Sequence, residues 1–280
     1  MPAPQAPPYA RLLLDHLVRG DLALARVLGQ HMHWGWWRHP GAGDGTLDDF
    51  AAALERMSQR VIDMAGIREG GCVLDAGCGF GGTLASLDLR FSRLVLVGLN
   101  IDGQQLRWAR EQVRPRPGNR LEFVEGDACA MPFASGSFDA VLALECIFHF
   151  PDRRRFFQEA RRVLRAGGIL VLTDFVPTLL FLPMLAMQDV LFPSYIQRFF
   201  GASDLTYPLN HYRSLARFMG FEPLVEEDMT LNTLPTYPVA RRLARELGPE
   251  APFALASMLA TEFVTRMGLL RYMALSYRKR

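Results

Sequence analysis

Short apolar runs recur through the middle of the chain, with polar, helix-like stretches between them. The runs are Cys72 to Asp75, Leu94 to Leu99, Leu121 to Val124, Phe138 to Leu144 and Ile169 to Thr173. Each is almost continuously apolar rather than alternating, the pattern of a strand buried on both faces. The stretches Thr83 to Leu89, Gln104 to Val113 and Arg154 to Leu164 read as helices. Strand and helix in alternation predict an α/β fold with a doubly wound, largely parallel sheet.

The flanks read differently. Upstream, Leu13, Leu14, Leu17, Val18 and Leu24 predict one helix over Tyr9 to Leu28. After it come His31-Met32-His33-Trp34-Gly35-Trp36-Trp37 and a glycine-rich loop, Gly41 to Gly45. Thr46, with Asp49 three residues on, predicts the N-cap of a helix reaching Ala65. Downstream, residues 176–205 are apolar, aromatic and broken by prolines. A helix over Tyr212 to Met219, a strand over Leu224 to Met229, two helical segments within 238–268 and a closing strand over Tyr272 to Tyr277 complete the chain.

Composition narrows the classes. Half of the 280 residues are apolar, 21% are charged and the formal net charge is +2, so no electrostatic footprint argues for nucleic acid. The short arginine clusters, Arg153 to Arg155, Arg161 with Arg162 and Arg278 to Arg280, read as solvated helix faces and tail. None of the four cysteines forms a C-x-x-C pair and no Cys/His group has zinc-like spacing, so all four are expected reduced and no metal is expected. Cys72, Cys129 and Cys146 read as small buried fillers. Residues 1–8 read as a flexible, proline-rich tail rather than a signal peptide. The longest apolar stretch, Phe175 to Phe192, is interrupted by Pro177 and Pro183, and Gln188 and Asp189 follow these, so stable membrane insertion is not expected. The expected location is the cytoplasm.

The strongest motif is Val73-Leu74-Asp75-Ala76-Gly77-Cys78-Gly79-Phe80-Gly81-Gly82. A strand ends in a carboxylate and turns through glycines into a helix whose N-terminal amides are expected to face a ligand. Gly77, Gly79 and Gly82 fit G-x-G-x-x-G, which serves both NAD and S-adenosylmethionine (SAM) folds. Three features favour SAM. Asp75 suits a cationic amino group and would repel a pyrophosphate. Asn100 stands where a ribose-gripping acid is expected in NAD folds. Asp127, in Glu125-Gly126-Asp127-Ala128, is placed to accept from an adenine amino group.

On these residues, together with Gly98 to Gln105, Phe138 to Val141, Leu144 to Arg153, Arg162 to Gly168 and Thr173 to Phe175, the chain resembles class I SAM-dependent methyltransferases. It is most similar to their small-molecule branch, the natural-product O-methyltransferases, and more distantly to tocopherol and sterol C-methyltransferases. The resemblance covers residues 30–175 well and the rest loosely. It implies that Gly77 and Gly79 line the methionine end of SAM, that Asn100 and Gln105 meet the ribose, that Ile101 packs on the adenine, and that Asp127 and Ala128 read its edge. It also implies a Rossmann-like mixed sheet of seven strands, the last antiparallel. Two departures stand out: Asn100 where relatives often carry an acid, a weaker uncharged contact, and Ala166 where they often carry proline.

Methyl transfer needs a nucleophile in line, about 3 Å from the methyl carbon, and a hydroxyl acceptor gains from a base. His149, after the fourth strand, reads either as that base or as a structural histidine tied to Asp152. Asp174, ending the fifth strand, reads as a base, as an orienter of a histidine, or as a loop cap. His31 and His33 flank the tryptophan cluster, which in relatives covers the cofactor mouth; either histidine reaches toward the acceptor, or the segment is an aromatic staple. Glu145 is a weaker candidate, suited to quenching a cation on a carbon acceptor. Phe175, Leu179, Phe181, Met184, Met187, Phe192, Tyr195, Phe199 and Phe200 suggest a cap for a lipophilic acceptor.

The expectation is therefore one methyltransferase domain over 1–280, with an N-terminal helical cover (1–66), a SAM-binding core (67–175) and a substrate cap with closing strands (176–280). The expected reaction is methyl transfer to a hydroxyl of a hydrophobic secondary metabolite such as a polyketide, phenol or deoxysugar. Carbon or nitrogen methylation, an NAD-dependent oxidoreductase and a non-catalytic SAM-fold binding protein are the rivals, and a homodimer is left open.

Overall fold

The computed structural model describes residues 6–28, 30–187 and 195–280; residues 1–5 of the expected tail and Phe192 of the expected cap lie outside them. Seven strands form one sheet: β1 (Cys72–Ala76), β2 (Val95–Asn100), β3 (Arg120–Glu125), β4 (Phe138–Ala143), β5 (Leu164–Pro177), β6 (Phe221–Asp228) and β7 (Leu270–Lys279). Their order is β3-β2-β1-β4-β5-β7-β6. Neighbours from β3 to β5 are parallel, and β7 runs antiparallel to both β5 and β6. The Rossmann-like α/β architecture expected from the strand pattern is the one observed.

Both faces of the sheet are covered at its centre, which is why β1 and β4 are buried almost throughout, while the edge strands β3 and β6 carry charged residues. On one face Val73, Leu96 and Val171 pack with α3 (Leu47–Met64), α4 (Gly82–Arg90) and α5 (Gly103–Gln112). On the other, Leu74, Val141 and Leu172 pack with α6 (Arg153–Val163), near Tyr212 and Leu215. Asp152 caps α6 by accepting from Arg155 N at 3.0 Å, and Phe156, Phe157, Ala160 and Val163 give it a fully buried stripe. Truncating either phenylalanine to alanine would cost about 3–5 kcal/mol.

Several expectations are corrected. The first helix is two, α1 (Pro8–Val18) and α2 (Leu22–Leu28). The apolar period runs through both, but Gly20 takes φ +85° and turns the chain. The end of the expected tail is already part of the fold, since Ala6 is buried. Thr46 does cap α3, accepting from Asp49 N at 3.1 Å. Asp49 uses its carboxylate on Trp37 Nε1 (2.7 Å) and Arg56 instead of closing a capping box. Strand β5 is far longer than expected: Gly167 and Gly168 lie within it, at a register shift where Phe138 pairs with Leu164 but Ala140 with Ile169.

The remaining helices are α7 (Leu182–Ala186), α8 (Tyr195–Phe200), α9 (Leu209–Phe218), α10 (Thr230–Thr233), α11 (Thr236–Ala244) and α12 (Ala251–Arg266). Helices α9, α11 and α12 and strands β6 and β7 match the five elements expected after residue 205, with shifted ends. Among the described residues, no helix is long and apolar enough to cross a membrane.

Candidate active site

Strand order reverses between β1 and β4, so a crevice opens there at the C-terminal ends of the strands. The turn after β1 descends into it. Gly77 N and Cys78 N both donate to Leu99 O, at 2.7 and 3.1 Å, which stitches the turn to the end of β2. Gly77 has φ +86°, and a Cβ there would sit 2.8 Å from Cys146. A Cβ on Gly82 would run into His31 Nδ1. The Gly82 amide, expected to be free for a ligand, donates instead to Gln30 O at 2.9 Å. The His31-to-Trp37 segment therefore sits on the start of α4.

One cavity results. Asp75, Gly77, Gly79, Asn100, Ile101, Gln105, Asp127 and Ala128 all line it, and so do His33 and His149. Pro7, Tyr9 and Ala10 cover it from the start of α1. Asp75 is 2% exposed, and burial pushes its carboxyl up to about 7. Its Oδ1 has no hydrogen-bond partner among the described residues. Asn100 Nδ2 donates to Gln105 Oε1 at 3.0 Å, so the two amides stand side by side. Asp127 Oδ1 accepts from Cys129 N at 2.7 Å and fixes its own loop.

A second cavity, about 270 Å³ against about 110 Å³, lies beside the first. Phe148, Phe175, Phe181, Phe199, Leu243 and Met258 are among its walls, drawn from the β4 loop, the cap and helices α11 and α12. Four residues line both cavities: Tyr9, Met32, His33 and Glu145. They mark where the two spaces meet.

Glu145 is built into that junction with care. It follows β4 at φ +49°, a left-handed conformation costly for a residue that carries a Cβ. Its own N–H donates to Thr173 Oγ1 at 3.0 Å. Trp34 N (2.8 Å) and Tyr272 Oη (2.7 Å) both donate to Glu145 Oε2. Phe175 packs edge-on against Trp34 and Tyr272. Burial pushes the Glu145 carboxyl up to about 8, against the pull of the two donors.

The three residues put forward as bases occupy different places. His33 is at the junction but fully partnered: Nδ1 lies 3.0 Å from Trp34 O, and Nε2 lies 3.0 Å from Ser58 Oγ and 3.2 Å from His31 Nδ1. Burial, with His31 beside it, depresses it to about 3. His149 lines the first cavity only; Nδ1 donates to Ala202 O at 3.1 Å and Nε2 faces Tyr9 Oη at 3.5 Å. Burial lowers it to about 4, which leaves a neutral ring. Asp174 lines neither cavity. It is fully buried, accepting from Tyr212 Oη, from Arg153 Nη2 at 3.2 Å and from Phe175 N at 2.8 Å. Burial pushes its carboxyl up to about 6 although Arg153 opposes this.

A family model described as a methyltransferase domain matches residues 74–172. Methyltransferase GfsG of Streptomyces halstedii is 34% identical over 60% of this chain and 59% of its own length. (+)-O-methylkolavelool synthase of Herpetosiphon aurantiacus is 31% identical over 82% of this chain and 77% of its own. The chain belongs to the SAM-dependent methyltransferases. Relatives named for O-methylation match over 55% to 89% of the chain, and relatives named for C-methylation over 46% to 65%. Among solved structures the [4+2]-cyclase SpnF superposes with a TM-score of 0.74 at 21% identity, covering 99% of this chain and 97% of that one. That neighbour is named for a cyclisation, so the likeness speaks to fold alone.

The residues of this methyltransferase fit its cofactor, S-adenosylmethionine. The orphaned Asp75 Oδ1 is an anionic acceptor that suits an ammonium, and the Gly77 turn keeps side chains out of the cradle. The paired amides of Asn100 and Gln105 offer donors and acceptors to hydroxyls. Among the described residues no group of histidine, cysteine or acid residues is arranged to hold a metal ion. Sequence reading ranked Glu145 below His149 and Asp174. Its place straight after a parallel strand was the available signal; the positive φ and the distant donors were not readable.

Proposed function

We propose that this methyltransferase moves the methyl group of SAM to a hydroxyl of a hydrophobic small molecule, a secondary metabolite such as a polyketide, phenol or deoxysugar. The observation that carries this reading is the meeting of an apolar cavity with the cofactor cavity at one carboxyl, Glu145. When bound, the cofactor supplies an electrophilic methyl group on a sulfonium. The chain does the rest. Asp75, Gly77 and Gly79 hold the methionine end, Asn100 and Gln105 the ribose, and Ile101, Asp127 and Ala128 the adenine. Phe148, Phe175 and Trp34 exclude water around the acceptor. Glu145 takes the hydroxyl proton: its pKa of about 8 suits a base working near neutral pH, and Trp34 N–H and Tyr272 O–H fix its orientation. In this reading His33 and His149 support the walls and Asp174 anchors the fold. The free cysteines accord with a reducing, cytoplasmic location.

Transfer to carbon is the second reading. The same carboxyl would then balance a cationic intermediate or remove a proton from carbon, and relatives named for C-methylation keep it in view. Two relatives named for O-methylation cover 89% and 82% of the chain, against 65% for a sterol 24-C-methyltransferase, and this favours oxygen. The test is transfer from isotopically labelled SAM into a panel of lipophilic alcohols, phenols, amines and activated-carbon compounds, read by mass. Label on oxygen supports the proposal, and label on carbon replaces it with the second reading. No product, with S-adenosylhomocysteine bound tightly, returns the chain to a non-catalytic binding role.

A further inference from the structure

We infer that the acceptor cavity selects an uncharged molecule and turns away acceptors carrying a phosphate, sulfate or carboxylate. The inference rests on the reading of the second cavity as the acceptor site. Among the described residues that line it, the ionisable side chains are Glu145, His33 and Tyr9, all at the junction with the cofactor cavity. No lysine or arginine is among them. The helices that wall it hold cations of their own, none of them among the lining residues; Arg242 is exposed, and three others are held in ion pairs. Arg198 of α8 pairs with Glu250 at 2.8 Å, and Arg241 of α11 and Arg266 of α12 both pair with Glu262. Arg153, close to Phe148 along the chain, is locked between Asp174 and Asp204.

An anionic head group entering this space would lose its water and gain no countercharge, which costs far more than burying a hydroxyl that finds one partner. At the junction it would also meet a carboxyl, repulsive to the extent that Glu145 is ionised. A hydroxyl in the same place donates its hydrogen bond to that carboxyl. The other polar groups on the described walls are neutral hydroxyls: Thr236 Oγ1 accepts from Gly35 N at 3.1 Å, Thr261 Oγ1 donates to Ser257 O at 2.9 Å, and Ser203 adds a third. Discrimination is therefore built from the absence of a cation along the walls and the presence of one acid at the end.

The experiment uses the full chain saturated with S-adenosylhomocysteine and the fluorescent lipophile N-phenyl-1-naphthylamine at pH 8. Displacement by 1-decanol is compared with displacement by decanoate and by decyl phosphate. Decanol is expected to work at a concentration at least about tenfold lower than either anion. Equal displacement by the anions overturns the inference, as does a fluorophore that none of the three displaces. Ala240→Trp, and Thr261→Trp as a second variant, fill the cavity and are expected to abolish fluorophore binding while melting as the parent does. Binding that survives in both folded variants places the probe elsewhere and also overturns the inference. Methyl transfer is read separately: selective binding of the neutral probe without turnover of any alcohol leaves this inference standing and removes the proposed reaction.

Discussion

The two cavities are made in different ways. The cofactor cavity is built from strand ends and the short loops that follow them: Asp75 at the end of β1, Asn100 at the end of β2 with Ile101 just past it, Asp127 after β3, Glu145 after β4. Backbone and short polar groups set its shape. The acceptor cavity has hardly any strand in it. Most of its walls come from three separate stretches, chiefly helix and loop, around Tyr9 to Trp34, Phe175 to Leu205 and Thr236 to Leu270, with Phe50, Glu145 and Phe148 added from elsewhere. A sheet fixes its own ends through hydrogen bonds, so the first cavity is specified by local turns. The second depends on side chains packed across long separations, which is where a shared fold can change its ligand.

That contrast can be tested from its strongest point downward. At the junction, Glu145→Gln is expected to lower turnover about 1,000-fold while S-adenosylhomocysteine affinity, measured by calorimetry, stays within a factor of three of the parent, as expected for a roughly isosteric change. Wild-type turnover should rise with pH through about 8, because the working form is the ionised carboxylate. A flat profile would remove Glu145 as the base. Outside both cavities, Asp174→Asn is expected to cost about 3 kcal/mol in denaturant unfolding, since Arg153 loses a buried countercharge. Turnover of the folded variant at saturating substrate should remain near normal; a large loss would restore Asp174 as a catalytic candidate.

On the cofactor side, Asp75→Asn is expected to weaken S-adenosylhomocysteine by about 2 kcal/mol, roughly 30-fold, the worth of a charged hydrogen bond. The pH sign follows from the raised pKa: wild-type affinity should strengthen as pH climbs through about 7 and Asp75 ionises, and the asparagine variant should not show that rise. Unchanged affinity would move the methionine end of the cofactor elsewhere. The smallest effect is expected at His149→Ala. Losing two neutral hydrogen bonds is worth about 1 kcal/mol, roughly fivefold in turnover, and a drop like that of Glu145→Gln would make His149 the base.

The same contrast explains what could be read from the residues alone. The β1 turn was legible because its chemistry is contiguous: carboxylate, glycines and helix lie within eight positions, and each constraint is local. The central strands were legible because two-sided burial leaves unbroken apolar runs. The break at Gly20 was hidden under a continuous apolar period, and the reach of β5 was hidden because Gly167 and Gly168 look like a turn. Glu145 was undervalued because its donors, Trp34 and Tyr272, are 111 and 127 positions away. Asp174 was overvalued for the mirror-image reason. A carboxylate at a strand end looks available until Tyr212, 38 positions on, and Arg153 close over it.

His149 has a consequence beyond its own small effect on rate. It touches Tyr9, which covers the cofactor, and Ala202, which belongs to the return leg of the cap, and Asp204 N donates to Phe148 O one residue before it. The cover of one ligand and the cap of the other thus share a single clasp. Any coupling carried by this chain of contacts is reciprocal: the factor by which one ligand changes the other's affinity is the same whichever binds first. Truncating this one imidazole is the change expected to uncouple the two adjoining cavities.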